Sequence, residues 1–450
     1  MPSLLPAVAG NPALPPELLA RLVADADEGL AQELAEELAE ELAQRADLTP
    51  DQVRQLADGH EGAAVRLAGR GLLHAEDVDP LARPQVALAL LDEGRGDPAW
   101  PRLFATHPEE LVRERVASAV GLPDEAADLL AADESADVVA VLAVHTTRPD
   151  LLSRFAAHPV PTVRRCAAAN EAMAAELLTV LLDDPEVMVR EQAAAHPTTP
   201  GAAAARLVAD HTMVRQALAT HPGLPAETYH RLAGDEIPWV RSNLARNPGV
   251  DERLIRRLAE DDGHDVRRSL VQHPCIPLDL LTRLATTVRI GPALLLPRIG
   301  AADAAELARL AGSREPRVRA LAASRRDLPA ELRDRLAADP DAKVVKSVAP
   351  HPGLTATQLT AVLHAFGSMV ATAVAANPGA PGWVLDRIVA TPPTPVKALR
   401  TVAAHPNASP AALATCLASP DPRTAAAAAA NPALPVAVIA DLVSRHLPGR

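Results

Sequence analysis

Residues 221–248 read HPGLPAETYHRLAGDEIPWVRSNLARNP, and this stretch decides the fold. Pro225 can open one helix and Pro238 a second, because the first residue of a helix needs no amide hydrogen. Asn247 precedes a proline and so ends the second helix, since such a residue avoids the helical region. Helices this short are unstable alone. The stretch therefore predicts a helix pair that must pack against similar neighbours.

Apolar residues at helical spacing predict the buried face of this pair. The second helix would turn Val240, Leu244 and Ala245 inward, and the first would contribute Leu224, Tyr229 and Leu232. The helices would meet at a turn near Asp235.

A histidine or asparagine before proline recurs along the chain and marks each repeat. These anchors are His196, His221, Asn247, His273, His351, Asn377, His405 and Asn431. They are 25, 26, 26, 78, 26, 28 and 26 residues apart, and 78 is three periods of 26. Regular units run from about residue 94 to 450, and degenerate units fall near Asn11, Arg45 and Arg70. A period of this kind is typical of stacked helical repeats.

The repeat unit, N/H-P-x-x-P-xx-L-xx-L-A-x-D…V-R-xx-A/L-A, resembles the leucine-rich repeat variant family, well over 94–450 and loosely over 11–93. The pattern is also similar to HEAT-type repeats. The resemblance implies an all-α, right-handed superhelical solenoid whose repeats of about 26 residues pair an α-helix with a short α or 3-10 helix. A member of the family holds an iron–sulfur centre on an N-terminal cysteine cluster. This chain has no cysteine before Cys166, so we expect no cofactor.

Departures from the repeat divide the chain into four predicted regions. Residues 1–93 would be degenerate or capping repeats, 94–285 a regular array, 286–299 an irregular repeat and 300–450 a second array. Gly291-Pro292 and Pro297 prevent a full second helix in the irregular repeat. That repeat is either a tolerated irregularity or a hinge.

The segment 25–45 stands out by its charge. It has eight acids and no base before Arg45, and its leucines recur every four residues from Leu30 to Leu42. It predicts one acidic helix. This helix either caps the open apolar end of the array or docks a basic partner.

Composition limits the function classes. The chain is 48% apolar but has only seven aromatic residues, which suits close-packed thin helices and not a wide-pocket enzyme. A net charge of −13 disfavours nonspecific nucleic-acid binding. Three scattered cysteines, with neither a leader nor a membrane span, predict a protein of the reducing cytoplasm. Sequence motifs of hydrolases, nucleotide-binding sites and zinc proteases are absent.

Two columns of polar residues predict ladders between repeats. An acid precedes the V-R arginine by six residues, as with Asp184 and Arg190, which predicts charge-assisted bonds between units. The same column could instead bind an anionic ligand; it contains Arg113, Arg164, Arg190, Arg215, Arg241, Arg267, Arg319 and Lys397. The histidine and asparagine column should satisfy backbone groups at helix ends. It should not bind a metal, because imidazoles about 9–10 Å apart cannot share an ion.

The outer positions of the second helices are the candidate binding site. These residues are Arg115, Arg165, Gln192, Asn243, Arg246, Arg268 and Gln272. They are either ordinary solvated surface or a groove for an extended peptide or a protein edge.

The sequence thus favours a non-enzymatic scaffold that binds a protein or extended peptide along one face. The alternative is a HEAT-like nucleic-acid-binding protein or DNA glycosylase using residues 237–335, which contain eighteen arginines. Against it, Trp239 is the only tryptophan or tyrosine there, and base stacking uses several rings.

Overall fold

The computed structural model describes residues 3–27, 30, 32–119, 121–290 and 296–446. Among these residues every regular element is a helix and none is a strand, which confirms the all-α fold class. The chain divides into two compact units. The first contains the described residues up to His74 and those from Ala302 onward, and the second contains Ala75–Ile290 and Leu296–Ala301.

The helices are short and follow one another closely in both units. The first unit begins with α1 (Leu5–Ala9), α2 (Pro16–Asp27), α3 (Gln32–Leu42), α4 (Pro50–Gly59) and α5 (Glu61–Gly69). The second unit has α6 (Pro84–Asp92), α7 (Trp100–Phe104), α8 (Glu110–Ala117), α9 (Asp124–Ala131), α10 (Ala136–His145), α11 (Pro149–Ala156), α12 (Pro161–Ala169), α13 (Ala175–Leu181), α14 (Val187–Ala195), α15 (Gly201–Ala204), α16 (Thr212–Thr220), α17 (Ala226–Leu232), α18 (Pro238–Leu244), α19 (Glu252–Leu258), α20 (His264–Leu270), α21 (Leu278–Thr287) and α22 (Pro297–Gly300), with 3-10 helices at Ala75–Asp77 and Ala205–Leu207. The first unit resumes with α23 (Ala304–Ala311), α24 (Pro316–Ala323), α25 (Ala330–Ala337), α26 (Ala342–Val348), α27 (Ala356–Phe366), α28 (Ser368–Ala375), α29 (Gly382–Ala390), α30 (Val396–Ala403), α31 (Pro410–Leu417), α32 (Pro422–Ala429) and α33 (Val436–His446).

Residues 221–248 form the helix pair that the sequence predicts. Helix α17 follows Pro225, and α18 has Pro238 in its first turn. The six predicted core residues are all buried, with the exposed fraction between 0% and 7%. The apolar spacing therefore identified the inward faces of both helices correctly.

Consecutive repeats pack mainly through their second helices. In the second unit, α8, α10, α12, α14, α16, α18 and α20 form a row in which each helix packs on the next. Contacts between successive first helices, such as α7 with α9 and α11 with α13, are fewer. The stacking of neighbouring helix pairs that defines a helical repeat array is thus confirmed, and the second helices form its continuous side.

The first repeat of the chain packs on the last one. Helix α1 contacts both α32 and α33, and its Leu5 and Val8 are at most 1% exposed. The Asn11 amide donates to the carbonyls of Ala429 and Asn431 at 2.8 and 2.9 Å. In the same way, the Asn431 amide donates to carbonyls of the preceding repeat. The first repeat therefore occupies the position that would follow the last repeat in the array.

The acidic segment 25–45 is not one helix. Residues 25–27 end α2, Leu30 lies outside any helix, and α3 covers Gln32–Leu42; residues 28, 29 and 31 lie outside the described part of the chain. The sequence has glycine at position 29, a poor helix former. Helix α3 packs on α1 and α5 as the second helix of its repeat, so it lies within the stack and not at an open end.

The irregular repeat interrupts the second unit near its end. Residues 291–295 of the predicted hinge lie outside the described residues. On one side of them α21 is longer than the first helices before it, and on the other α22 has only four residues, with Pro297 in its first turn. The two compact units change over near residues 74 and 301, so their limits differ from the four predicted regions.

Candidate functional site

The anchor column forms a ladder of buried backbone contacts. The Asn247 amide donates to the carbonyls of Ala219 and His221, both at 2.8 Å, and its side-chain oxygen accepts the N–H of Gly249. At His273, Nε2 contacts the Asn247 carbonyl at 2.9 Å and Nδ1 accepts the N–H of Cys275. Asn247 and His273 thus each satisfy helix-end groups of two repeats, as the sequence predicts.

Arginine replaces asparagine at the degenerate anchors. Arg45 Nη1 donates to the carbonyls of Ala9 and Asn11, and Arg70 Nη1 donates to those of Ala43 and Arg45. The longer side chain reaches the same pair of carbonyls. The degenerate units near residues 45 and 70 therefore keep the ladder.

The histidine anchors require a neutral ring. Because Nδ1 accepts an N–H, the hydrogen must be on Nε2, which donates to the carbonyl of the repeat before. Burial lowers the pKa of His273 and also that of His221, against the opposing effect of that hydrogen bond. Protonation of either ring would cost its Nδ1 hydrogen bond.

The arginine column forms a second ladder, through carboxylates. Arg241 Nε and Nη2 donate to the two carboxylate oxygens of Asp261 at 2.7 and 3.0 Å, and Arg241 Nη1 donates to the Asp235 carbonyl. The N–H of Gly263 donates to the same Asp261 carboxylate. The same bidentate arrangement occurs in Arg113–Asp133, Arg164–Asp184, Arg190–Asp210, Arg215–Asp235 and Arg319–Asp339.

The ladder is present but its partners differ from the predicted ones. Where an aspartate stands six residues before the arginine, as Asp235 does before Arg241, it offers its backbone carbonyl, and the carboxylate comes from an aspartate twenty residues downstream in the next repeat. Lys397 is exposed and does not belong to the column; Arg400, three residues later, pairs with Asp421. These pairs neutralise most of the stripe that could have bound an anionic ligand.

Both ladders make stability depend on pH. Hydrogen bonds from Arg190 lower the pKa of Asp210. At Asp184 burial acts to raise the pKa, but the bonds from Arg164 and from the Glu186 N–H, together with the nearby arginine charges, lower it. Because these histidines and aspartates have lower pKa values folded than unfolded, the unfolded chain takes up more protons. Stability should therefore be highest above about pH 6.5, fall as the histidines protonate, and fall again below about pH 4. Urea midpoints at pH 7.5, 5.5 and 3.5 test this order.

A matched variant separates the loss of stability caused by the histidines from the loss caused by the aspartates. His273→Asn places at this anchor the residue that the chain itself uses at Asn247, so the rung is kept without a titrating ring. Compared with the unmodified chain, we expect this variant to lose less stability between pH 7.5 and 5.5 and to lose the same amount below pH 4. A loss identical to that of the unmodified chain would contradict the role of the histidine.

The predicted site residues lie along the row of second helices in the second unit. Arg115, Arg246 and Arg268 are exposed, whereas Arg165, Gln192, Asn243 and Gln272 are half-buried. Five of them are within helices, and the remaining two, Arg246 and Gln272, lie just past the ends of α18 and α20. The structure thus places all seven on the continuous side of the array.

Only one of the four candidate arginines is engaged in an ion pair among the described residues. Arg115 pairs with Asp92, one repeat earlier. Arg165, Arg246 and Arg268 have no carboxylate partner in the described part of the chain. Their guanidinium groups are therefore available on this face, unlike those of the ladder.

Sequence reasoning missed three apolar residues on the same face. Met188, Met213 and Trp239 each immediately precede the core valine of α14, α16 and α18. Trp239 is 61% exposed and Met188 43% exposed, and Met213 is half-buried. Their signal was an apolar residue at a helix position that faces away from the core, in three consecutive repeats.

Two further features were considered as sites. Carboxylate oxygens of Glu110, Glu114 and Asp137 lie within 4.8 Å of one another, the only such group of potential metal ligands in the described residues, but two of the three side chains are exposed. A cleft of about 240 Å³ between α27, α28 and α29 is lined by His364 and Arg387 among others. It is smaller than the usual ligand pocket. None of the described helices is long and apolar enough to cross a bilayer.

A leucine-rich repeat variant, the family that the repeat unit resembles, is among the solved structures that align with this chain. No family model matches the sequence, and no curated protein matches it. The chain resembles a leucine-rich repeat variant. That solved structure, described as having a novel repetitive structural motif, aligns over 66% of this chain and 87% of its own at 22% identity, with a TM-score of 0.21.

Two engineered proteins also align. One covers 92% of this chain and 98% of its own at 15% identity with a TM-score of 0.15, and the other covers 70% and 94% at 16% identity with a TM-score of 0.09. The repeat architecture follows from the helix contacts within this chain.

Proposed function

We propose that the protein is a non-enzymatic scaffold that binds a partner protein, or an extended segment of one, along the outer face of its second helices. One observation carries the proposal. The ladder residues bond to groups of neighbouring repeats within the array. By contrast, Arg165, Arg246 and Arg268, on or just past the second helices, have no carboxylate partner in the described residues. Stacked repeats commonly bind partners over such extended surfaces.

The charges of residues 237–335 do not favour the nucleic-acid alternative. Arg241, Arg256, Arg283 and Arg319 are each held in ion pairs with acids. Free thiols at Cys166, Cys275 and Cys416 agree with the cytoplasmic location that we propose.

A second surface is proposed for a basic partner. On α3, Glu33, Glu36 and Glu37 are exposed, while Glu40 pairs with Arg66. Three exposed carboxylates on one helix, none in an ion pair with another described residue, would attract a basic segment.

Charge reversal on the second helices should weaken partner binding. We expect Arg246→Glu with Arg268→Glu to reduce the partner's affinity by about tenfold or more, because like charges then meet the partner's acids. The melting temperature should not change, since neither side chain has an ion-pair partner among the described residues to lose. The partner would first be captured from source cells through a photo-crosslinker at Asn243 of the full chain, and its affinity then measured for each variant.

The first helices of the same two repeats supply the control. Arg231 on α17 and Arg253 on α19 are equally exposed. Arg231→Glu with Arg253→Glu applies the same charge change to the opposite side and should leave affinity unaltered. Equal weakening by both pairs would show a general charge effect. A fall of many degrees in melting temperature for the Arg246 and Arg268 pair would assign those residues to stability.

A further inference from the structure

One rung of the arginine ladder is missing between the repeats of α28 and α29. The arginine position, directly after the core valine of a second helix, is Ala371 in α28, and the carboxylate position twenty residues downstream is Thr391. In an intact rung a guanidinium and a carboxylate occupy these two places, as Arg241 and Asp261 do. Alanine and threonine are much smaller than that pair, so they leave space where the rung would stand.

A cleft opens at this missing rung. Ala371 and Thr391 both line the cleft of about 240 Å³ between α27, α28 and α29. A water molecule takes about 30 Å³ in the liquid, so the cleft has room for a group of several heavy atoms but not for a drug-sized molecule. The rungs missing at Val139 and Val345 differ, because a larger apolar side chain is buried at the arginine position there.

Two irregular parts of neighbouring repeats border the same cleft. Helix α27 has eleven residues, against seven in α17 and α19, and it ends at Gly367, whose φ of 53° favours glycine. The additional turn of α27 contains His364. Residues 391–395 follow α29 in a repeat that is two residues longer than the usual 26. His364, Gly367, Thr394 and Pro395 all line the cleft, so both irregularities shape it.

The cleft is lined by donor side chains and by no acid. His364 on α27, Ser368 at the start of α28 and Arg387 on α29 are exposed, and their side chains bond to none of the described residues. A guanidinium, an imidazole and a hydroxyl can all donate hydrogen bonds. The guanidinium fork alone matches the two oxygens of a planar carboxylate, whereas a phosphate has a further oxygen for a second donor.

The charge of the surrounding chain also favours an anionic ligand. Residues 342–420 contain five lysines and arginines and a single acid, Asp386, although the whole chain has a net charge of −13. The Asp386 carboxylate accepts a hydrogen bond from the Ser409 hydroxyl and does not line the cleft. A local excess of positive charge attracts anions to this part of an otherwise acidic protein.

We propose that this cleft binds the phosphate group of a small compound, held by Arg387, His364 and Ser368 in the space of the missing rung. The size of the cleft admits the phosphate group and leaves any larger part of the ligand outside. The ligand is inorganic phosphate or a phosphate monoester, since both present the same oxygens to the three donors. The site goes beyond the proposed scaffold function, whose candidate residues belong to the second unit.

Isothermal titration calorimetry of the full chain at fixed ionic strength tests the site. The probes are inorganic phosphate, glycerol 3-phosphate, glycerol and acetate. We expect saturable binding of one phosphate or one glycerol 3-phosphate per chain, no binding of glycerol, and binding of acetate that is weaker by about tenfold or more. The tighter of the two phosphate compounds shows whether the free ion or the monoester is the preferred ligand.

Variants assign the binding to the cleft. Arg387→Gln removes the charged fork and should weaken phosphate binding by about tenfold or more. Thr391→Asp returns the acid of the ladder to an exposed position in the cleft and should abolish binding by repulsion. The matched control is Arg423→Gln, because Arg423 is exposed on α32 and does not line the cleft. It should leave the affinity unaltered, and melting curves check that each variant is folded.

The proposal is overturned if neither phosphate compound shows saturable binding, or if acetate binds as tightly as phosphate. Equal affinity of the unmodified chain and Arg387→Gln would also overturn it. If Arg423→Gln weakens binding as much as Arg387→Gln does, the general positive charge of residues 342–420 holds the anion, and the cleft is excluded. Should Arg387→Gln not fold, unaltered binding by Thr391→Asp excludes the cleft in the same way.

Discussion

Replacing Asp261 by alanine should lower the free energy of unfolding by about 3 kcal/mol. The Asp261 carboxylate accepts two hydrogen bonds from Arg241 and one from the Gly263 N–H. Its removal leaves a guanidinium that is only 15% exposed without a counter-charge, and a turn N–H without an acceptor. The remaining exposure of Arg241 places the loss at the lower end of the range for broken buried pairs. Urea unfolding followed by circular dichroism measures it.

Two variants test the origin of that loss. Asp262→Ala removes an exposed carboxylate from the next position and should change stability by less than about 0.5 kcal/mol. In α10 the arginine position of the ladder is Val139, and the aspartate position twenty residues later is Pro159. Arg241→Val combined with Asp261→Ala likewise makes both positions apolar. The double change should lower the free energy of unfolding by less than the two single changes added together. A double variant whose loss equals the sum would show that the two side chains act independently, against the ladder.

Leu244→Ala should cost about 2–5 kcal/mol, because a fully buried side chain leaves a cavity between packed helices. Leu244 is 0% exposed on α18, which packs against α16 and α20. The core of the array is formed mainly by leucine, valine and alanine. Hydrogen exchange of the α18 amides, together with the urea midpoint, reports the loss.

The matched control is Leu111→Ala on α8. Leu111 is 73% exposed in a second helix of the same unit, so the same chemical change removes little buried surface. We expect its midpoint to stay within error of the unmodified chain. An unaltered midpoint for Leu244→Ala would mean that the inward face of α18 has been assigned to the wrong side.

Sequence reasoning succeeded where the signal is local. Pro225, Pro238 and Asn247 act on the backbone next to them, so the limits of α17 and α18 could be predicted from one repeat. The apolar spacing of Val240 and Leu244 likewise needs no partner to be recognised.

It failed where two residues meet across repeats. The Arg241 guanidinium bonds both to Asp235, six residues before it, and to Asp261, twenty residues after it. Each of the two acids lies in the turn between the helices of its own repeat. Their spacing does not say which offers a carboxylate and which a carbonyl. The sequence analysis noted Trp239 only as a single ring, which does not favour base stacking. Met213 and Met188 occupy the same helix position one and two repeats earlier in the chain, so their relation to Trp239 is not visible within one repeat. Of the seven candidate residues chosen from the period alone, five lie within second helices, and Arg246 and Gln272 lie just past the ends of α18 and α20.

The rung between Asn11 and Asn431 has a consequence for how the protein is made. The rungs of Asn247 and Asn377 join residues at most 28 positions apart and can form soon after synthesis. This one joins residues 420 positions apart. On the ribosome, α1 can pack on α3 early, but its contacts with α32 and α33 can form only after those helices have emerged. The entropy cost of closing that long loop therefore belongs to a single late step of folding. We expect nascent chains that stop before residue 422 to need a chaperone over their first repeat, whereas the finished chain does not.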